Sequence, residues 1–371
     1  MGPGRARPRA RDRVRRRGGG RRARQGRHAV PARVHRRGVG RQEPRGQPRP
    51  RAQQRACRGG CRDRLGEARA AAVSRLAVSR DRVVIVGDLI NDIVVVPREA
   101  IRADTDTTAT IRNTSGGSAA NTAVWLASQG AAVDFVAAVG GHDAAAHAAE
   151  LTAAGVTPHL QVEPEATTGA IVILVQGHDR SMLTDRGANS LLRAASVTEG
   201  LLADAALLHV SGYSVVDGFG LEGTREVLAR AADAGVPVSV NPGSIGFISD
   251  FGAERFLSAI EGARAVFLSA EEARLLTGVA DPADAARTLG ATFPVVALTR
   301  GVQGVLVVAD GAEPVAVPAP AVDAVDPTGA GDAFIAGFIA SWLRAGDPVA
   351  AASAAVHVAA QAVTAIGGRP A

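Results

Sequence analysis

From residue 81 onward, short apolar runs alternate with alanine-rich stretches of helical period. Val83–Val86, Val133–Ala138, Leu207–Val210, Val236–Val240, Ala265–Leu268 and Val295–Thr299 are short and mostly β-branched, which predicts strands. The segments 118–129, 143–154, 221–234, 270–276 and 282–290 lie between them and predict helices. Such alternation places the chain in the α/β class, with a mainly parallel central sheet covered by helices. Two places break the rhythm. Ile93–Val96 with Thr107–Arg112, and Gly169–Val175 with Ser181–Thr184, read as strand pairs with no helix between them, and so predict a small antiparallel sheet standing apart. The alanine-rich stretch 349–366 is interrupted by Ser353, His357 and Gln361, which predicts a buried helix and not a membrane span.

Before residue 81 the pattern vanishes. Residues 1–80 hold 26 of the 42 Arg against four acidic residues, with almost no large apolar side chains, whereas 81–371 hold 16 Arg against 32 acidic residues. The first segment cannot bury enough surface to offset ordering entropy and is expected to be a disordered extension. Its origin stays open between three readings. One is a misplaced translation start, with initiation near Val73 or Val78. The second is a basic arm giving salt-dependent, non-specific nucleic-acid affinity without aromatics for base stacking. The third is a targeting peptide, although no apolar stretch follows the arginines. Nucleic acid is expected as a partner only through this arm. Cys57 and Cys61 have no second pair at zinc-site spacing, and the rest of the chain has no cysteine. A cytoplasmic protein without disulfides is expected, with 81–371 long enough for one large domain.

The absence of lysine removes whole classes of chemistry. A P-loop Lys, a protein-kinase strand Lys and a Schiff-base Lys are all impossible. No G-x-G-x-x-G joins a first strand to a helix, and the eight His form no pair on one helix face. His209, at the end of an apolar strand, reads as a core histidine.

One stretch carries a positive signal. Asp326-Pro327-Thr328-Gly329-Ala330-Gly331-Asp332 leads directly into 333–344, where Phe334, Phe338 and Trp342, and likewise Ile335, Ile339 and Leu343, recur every fourth residue. A helix apolar on nearly all sides is buried. Its Gly-rich entry presents backbone N–H groups and the positive dipole end to an anion, and small residues let a phosphate come close. Asp332 fits such a site as the acceptor of a proton from a hydroxyl attacking a bound phosphate. Its plainer reading is a first-turn acid stabilised by the dipole.

The pattern D-x-T-G-A-G-D resembles the C-terminal signature of the ribokinase (PfkB-type) carbohydrate kinase family, and further motifs follow in family order from about Val83 to Pro370. Ile85–Asp92 is similar to the family's first strand, Gly116-Gly117-Ser118-Ala119-Ala120-Asn121 to its G-G-x-x-x-N signature, and Val139–Asp143 to its V-G-x-D turn. Asp185–Asn189 resembles its G-A-N segment, Asn241-Pro242 its N-P turn, and Thr299–Gly304 its T-x-G-x-x-G loop. Ser269-Ala270-Glu271-Glu272 stands where the family has N-x-x-E, with Ser269 in place of the Asn.

This resemblance implies a ribokinase-like three-layer sandwich whose extra strands, near 93–112 and 169–184, form a lid. It implies ATP-dependent phosphorylation of a primary hydroxyl on a small sugar. Asp332 would be the base, Gly329, Ala330 and Gly331 the anion hole, and Asp92, Gly116, Gly117 and Asn121 the acceptor site. Asn241, Thr299, Gly301 and Gly304 would bind ATP, and Glu272 would act indirectly on Mg2+. Asp326 and Thr328, with 362–368, would surround a monovalent cation such as K+. Pairing of two lids into a homodimer is also implied. Ile90, Ser118-Ala119 and Gly212 depart from ribokinases proper, while the G-G-S-x-x-N form also occurs in adenosine-kinase-like members, so a nucleoside is the alternative acceptor. A non-catalytic binding protein on the same fold is the alternative from another class.

Overall fold

The computed structural model describes residues 82–176 and 179–370. The Arg-rich extension and both cysteines lie outside the described residues.

A nine-stranded sheet forms the centre, in the order β13-β12-β11-β10-β9-β8-β1-β4-β5. Its strands are β1 (Arg82–Val86), β4 (Ala132–Gly140), β5 (Val156–Glu163), β8 (Leu207–Ser211), β9 (Val238–Asn241), β10 (Ala265–Ser269), β11 (Val295–Thr299), β12 (Val305–Ala309) and β13 (Val315–Val317). The seven from β5 to β11 are parallel, and β12 and β13 close one edge in antiparallel register. All six strands expected from the apolar runs are present. β5, β12 and β13 were not legible as strands. β5 carries Pro158 and mixed polar residues, compatible with its edge position, and β13 is only three residues long.

Seven longer helices flank the sheet: α1 (Ser118–Ser128), α2 (Ala144–Ala153), α3 (Gly220–Asp233), α4 (Ala270–Thr277), α5 (Pro282–Gly290), α6 (Ala330–Ala345) and α7 (Pro348–Ala362). Alternation along β1 sends Val83 and Ile85 to a core shared with α1, α6 and α7. Val84 and Val86 go to the core shared with α3, α4 and α5. This is the three-layer sandwich that the family resemblance implied, built on the mainly parallel sheet that the apolar runs predicted. Between α6 and α7, Gly337 lets the two backbones approach: a Cβ there would lie 2.8 Å from a methyl of Val358 and 3.1 Å from the Ala355 Cα. On the other side of α6, Phe338 meets Phe267 edge-on at 5.0 Å between ring centres. Among the described residues no helix is long and apolar enough to cross a membrane.

A second sheet has the order β3-β2-β6-β7, with β2 (Ile90–Pro97), β3 (Ala109–Gly116), β6 (Gly169–Gln176) and β7 (Asp179–Asp185). It stands where two helix-free strand pairs were expected. The antiparallel expectation is corrected in one respect, because the two hairpins join through a parallel β2–β6 pairing. Both β2 and β6 leave the large sheet in the same direction, so their first residues, Ile90 and Gly169, come side by side.

Replacing Gly337 by Leu is expected to cost roughly 1–3 kcal/mol, the usual penalty of overpacking a dense helix crossing. Urea unfolding of the variant checks it; an unchanged midpoint would mean that α7 yields freely.

Candidate active site

Chain connections leave β1 toward β4 and β5 on one side, while β8 to β11 fill the other. The boundary between β1 and β8 is therefore the switch point at which open α/β sheets form a crevice beyond their carboxyl ends. Ser211, Asn241, Ser269 and Thr299 all stand at such strand ends, and Asp88 lies just past β1.

Asp88 ties this edge together. It is 2% exposed, and it accepts the backbone N–H groups of Ser118 at 2.9 Å and Ala119 at 3.3 Å together with the Ser211 hydroxyl at 3.0 Å. A carboxylate at the first N–H groups of a helix is favourable. Here it replaces the side-chain cap that Gly117 cannot supply. Gly117 has φ 98°, and a Cβ there would lie 2.5 Å from the Asp88 carbonyl oxygen, so only glycine fits.

With α1 so placed, its first turn faces the start of α6. Ser118 Oγ donates to Asp332 Oδ1 at 2.7 Å and Asn121 Nδ2 donates to Oδ2 at 3.2 Å. Asn241 Nδ2 in turn donates to Ser118 Oγ at 3.4 Å. The Asp332 carboxylate keeps some opening to a cavity but is otherwise ringed by protein. This burial pushes its pKa up to about 7, against the two hydrogen bonds and with help from the charges of Asp88 and Asp92.

Asp92 lies at the base of the lid, half-buried, with its carboxylate over Gly116. A Cβ on Gly116 would come within 2.0 Å of Oδ2. Burial, reinforced by Asp88, raises Asp92 to about 6 despite the opposing charge of Arg369. The expected acceptor residues Asp92, Gly116, Gly117 and Asn121 are thus brought together around Asp332.

On the other side of Asp332 is a cavity of about 160 Å³, lined by Ser118, Asn241, Glu272, Thr299, Gly331 and Asp332 with an apolar wall of Phe267, Phe334 and Ile335. A Cβ added to Gly331 would meet nothing within 4 Å. Protein packing does not demand this glycine, and a side chain there would fill the cavity. Gly329 is demanded by packing: it has φ 77° and a Cβ would lie 2.6 Å from Gly368. It opens α6 without any side-chain cap, leaving the helix end to a ligand. Ala330 is the first residue of that helix. An uncapped helix end with small residues around it favours an anion.

Other expected residues do different work. Glu272 lines the cavity, yet it also closes a capping box: Ser269 N donates to Glu272 Oε2 at 2.6 Å and Glu272 N donates to Ser269 Oγ at 3.2 Å. Ser269 is therefore an N-cap. Gly301 and Gly304 do not line the cavity. They shape the β11–β12 turn, closed by Arg300 N donating to Gly304 O at 2.7 Å, and Gly304 packs so tightly on β13 that a Cβ would lie 2.0 Å from the Val317 carbonyl. Asp326 Oδ1 accepts from Thr328 N and Oγ1 at 3.0 and 2.7 Å, and Oδ2 accepts from Gly367 N at 3.2 Å. These bonds hold the carboxyl-terminal segment against Gly329. Among the described residues no group of three or more His, Cys, Asp or Glu could hold a metal ion. His209 is fully buried, bonded through Nδ1 to Ser239 Oγ at 2.9 Å, and burial lowers it to about 4, so it stays neutral in the core. Gly212 admits no side chain, because a Cβ would lie 1.9 Å from the Pro242 carbonyl.

Sequence reasoning missed Asp88, Ser118 and Arg369 as site residues. Asp88 stands four residues before Asp92 with the same chemistry, and only the position of α1 tells them apart.

Asp332 binds its proton more tightly folded than unfolded, so its contribution favours folding below the ordinary carboxylate pKa of 3.8 and is lost as pH rises through about 7. Asp332→Asn is expected to raise the melting temperature at pH 8, with the gain shrinking toward pH 5. A gain equal at both values would contradict the raised pKa.

Residues 80–371 match the pfkB family carbohydrate kinase profile. A curated relative, the ATP-dependent ribose-1-phosphate kinase of Halopiger xanaduensis, is 32% identical over 249 residues, covering 64% of this chain and 76% of that protein. Among solved structures, the adenosine kinase from Sinorhizobium meliloti superposes with TM-score 0.70 at 25% identity, covering 78% of this chain and 95% of that one. The ribokinase from Thermotoga maritima superposes with TM-score 0.67 at 23% identity over 78% and 96%, a likeness of fold. Together with the match over nearly the whole described chain, the α/β sandwich and its lid place this protein in the pfkB family of carbohydrate kinases, as a phosphotransferase.

Proposed function

We propose that the protein transfers the γ-phosphoryl group of ATP to a primary hydroxyl of a small sugar. The observation that carries this reading is the position of Asp332. It stands between a cavity at an uncapped helix end and the polar residues at the base of the lid, with both carboxylate oxygens oriented by α1.

In the proposed step the acceptor hydroxyl gives its proton to Asp332 as its oxygen bonds to phosphorus, and the bond from phosphorus to the bridging oxygen breaks to release ADP. The N–H groups at Gly329–Gly331 and the α6 dipole stabilise charge on the transferring group. Asn241 and Thr299 line the nucleotide side, and Gly301 and Gly304 are assigned to the turn at its rim. Mg2+ would neutralise phosphate oxygens; with no protein cage for it among the described residues, it would arrive with the nucleotide and face Glu272. Asp326 and Thr328 are assigned to a monovalent-cation loop with 362–368, a part that Asp326 already orders. Asp92 would accept hydrogen bonds from two adjacent acceptor hydroxyls. The lid exposes Ile111, Met182 and Leu183, which a second copy would cover in a homodimer. No catalytic part is assigned to residues 1–80.

A nucleoside acceptor is the second reading, favoured by the likeness to the S. meliloti enzyme. Against it, Phe135 and Phe219 are buried in the two cores, and one face of Tyr213 is covered by the Arg186 guanidinium at 4.7 Å. The two phenylalanines offer no face to a base, and Tyr213 offers one at most. The substrate named for the H. xanaduensis relative adds a phosphorylated pentose to the candidates. Following ADP release with ATP, Mg2+ and ribose, fructose, ribose 1-phosphate or adenosine tests the reading. A sugar is expected to lead, and adenosine exceeding every sugar tenfold would overturn it. A lack of turnover with every acceptor would instead favour a binding protein.

Asp332→Asn is expected to retain ATP binding while lowering kcat by roughly 10²–10⁴, the usual weight of a general base. The wild-type kcat/KM should fall as pH drops below about 7, because a protonated Asp332 accepts no proton. A pH profile flat from 8 to 5 would remove Asp332 from the role.

A further inference from the structure

Arg369 follows the Gly367-Gly368 pair and reaches both Asn121 on α1 and Glu150 on α2. Its Nε donates to Asn121 Oδ1 at 3.2 Å, and its Nη1 pairs with Glu150 Oε1 at 2.5 Å. Glu150 also accepts the Ser115 hydroxyl through Oε2. Arg369 Nη2 is buried with no partner among the described residues. An unpaired buried donor is destabilising, so stability alone does not account for a guanidinium here.

The geometry along this line is directional. A carboxamide has nearly the same shape in its two orientations but opposite chemistry. With Oδ1 held by the guanidinium, Nδ2 of Asn121 points at Asp332 Oδ2. Turning the amide over would set Oδ1 against the Asp332 carboxylate and Nδ2 against Arg369, two unfavourable contacts. Without Arg369 the second contact disappears, and the orientation rests on Asp332 alone.

Asp332 needs this support because its other neighbours oppose its charge. Asp88 beyond β1 and Asp92 on β2 face it as carboxylates, and Tyr213 after β8 lies in the same field. Among the described residues only Ser118 and Asn121, both on α1, donate to it. Ser118 is itself held by Asp88 through its backbone and by Asn241 through its hydroxyl. Asn121 has Arg369 for the same purpose.

We infer that Arg369 is a positioning residue for the phosphoryl-transfer reaction: it fixes the carboxamide of Asn121 with the donor end on Asp332 and so keeps that carboxylate ionised to accept the acceptor's proton. The inference rests on the reading of Asp332 as the base. Its action is through the hydrogen bond to Oδ1 and not through the charge of Arg369 on Asp92.

The test is a titration of the Asp332 carboxyl carbon by NMR in the full chain labelled at Asp, with Asp332→Asn identifying the resonance. It needs no substrate. Arg369→Met is expected to raise the midpoint by about half a pH unit or more, the scale of losing one oriented donor. Arg369→Gln keeps a donor for Oδ1 without the charge and is expected to restore most of the wild-type midpoint. In an Asn121→Ala background, Arg369→Met should add no further shift. The acid limb of kcat should move with the NMR midpoint, while a merely structural role would lower the melting temperature and leave the midpoint in place. Arg369→Ala serves if the Met variant does not fold. An unmoved midpoint overturns the inference, as does an equal shift without Asn121 or a Gln variant that behaves like Met. If no acceptor is ever phosphorylated, the kinase reading fails on its own, and the titration still decides whether Arg369 orients Asn121.

Discussion

One buried carboxylate organises this molecule. Asp88 sits where β1 and β8 part, and it satisfies two N–H groups of α1 and one hydroxyl from β8 at once. Removing a carboxylate from water is costly unless it is hydrogen-bonded, and three donors converge on this one. Because its partners lie 30, 31 and 123 residues away in sequence, the bonds can form only when the lid has been looped out and the sheet assembled. The placement of α1 then sets Ser118 and Asn121, and those two set Asp332.

The site is assembled against stability. Three carboxylates, Asp88, Asp92 and Asp332, share one poorly solvated region, and the pKa values of Asp92 and Asp332 rise in response. A fold selected for stability alone would place apolar or amide groups there. The protein instead supplies Asp88 and Asp332 with donors from α1 and β8. Glycines at 116, 117, 329 and 331 keep the space that these groups and a ligand need, although only 117 and 329 have positive φ.

Much of this was legible in the residues, for identifiable reasons. Short apolar runs marked every interior parallel strand, because a strand buried on both faces leaves a nearly continuous apolar signal. The stretch 326–332, which runs into α6, was legible because small residues at the head of a buried helix leave its end open to an anion. What stayed hidden depended on distance in sequence. Nothing local distinguishes Asp88 from Asp92, and the S-x-x-E spacing of Ser269 and Glu272, which marks a capping box, does not show that the box lies at the rim of a cavity. Gly301 and Gly304 had a spacing that served two readings, a nucleotide loop and a hairpin, and the hairpin accounts for their contacts. Arg369 was invisible because its partners, Asn121 and Glu150, lie more than two hundred residues earlier.

The contact of Gly368 with Gly329 also bears on when the protein becomes competent. The segment from Val363 to Arg369 is translated after every other part of the site, yet it packs on the helix entry where phosphate would bind and on the amide that faces Asp332. A nascent chain can complete its central sheet and its lid while this segment is still within the ribosome. Until the segment emerges and docks, Gly329 lacks its packing partner and Asn121 its orienting group. The site is therefore complete only after the part of it that is translated last has docked.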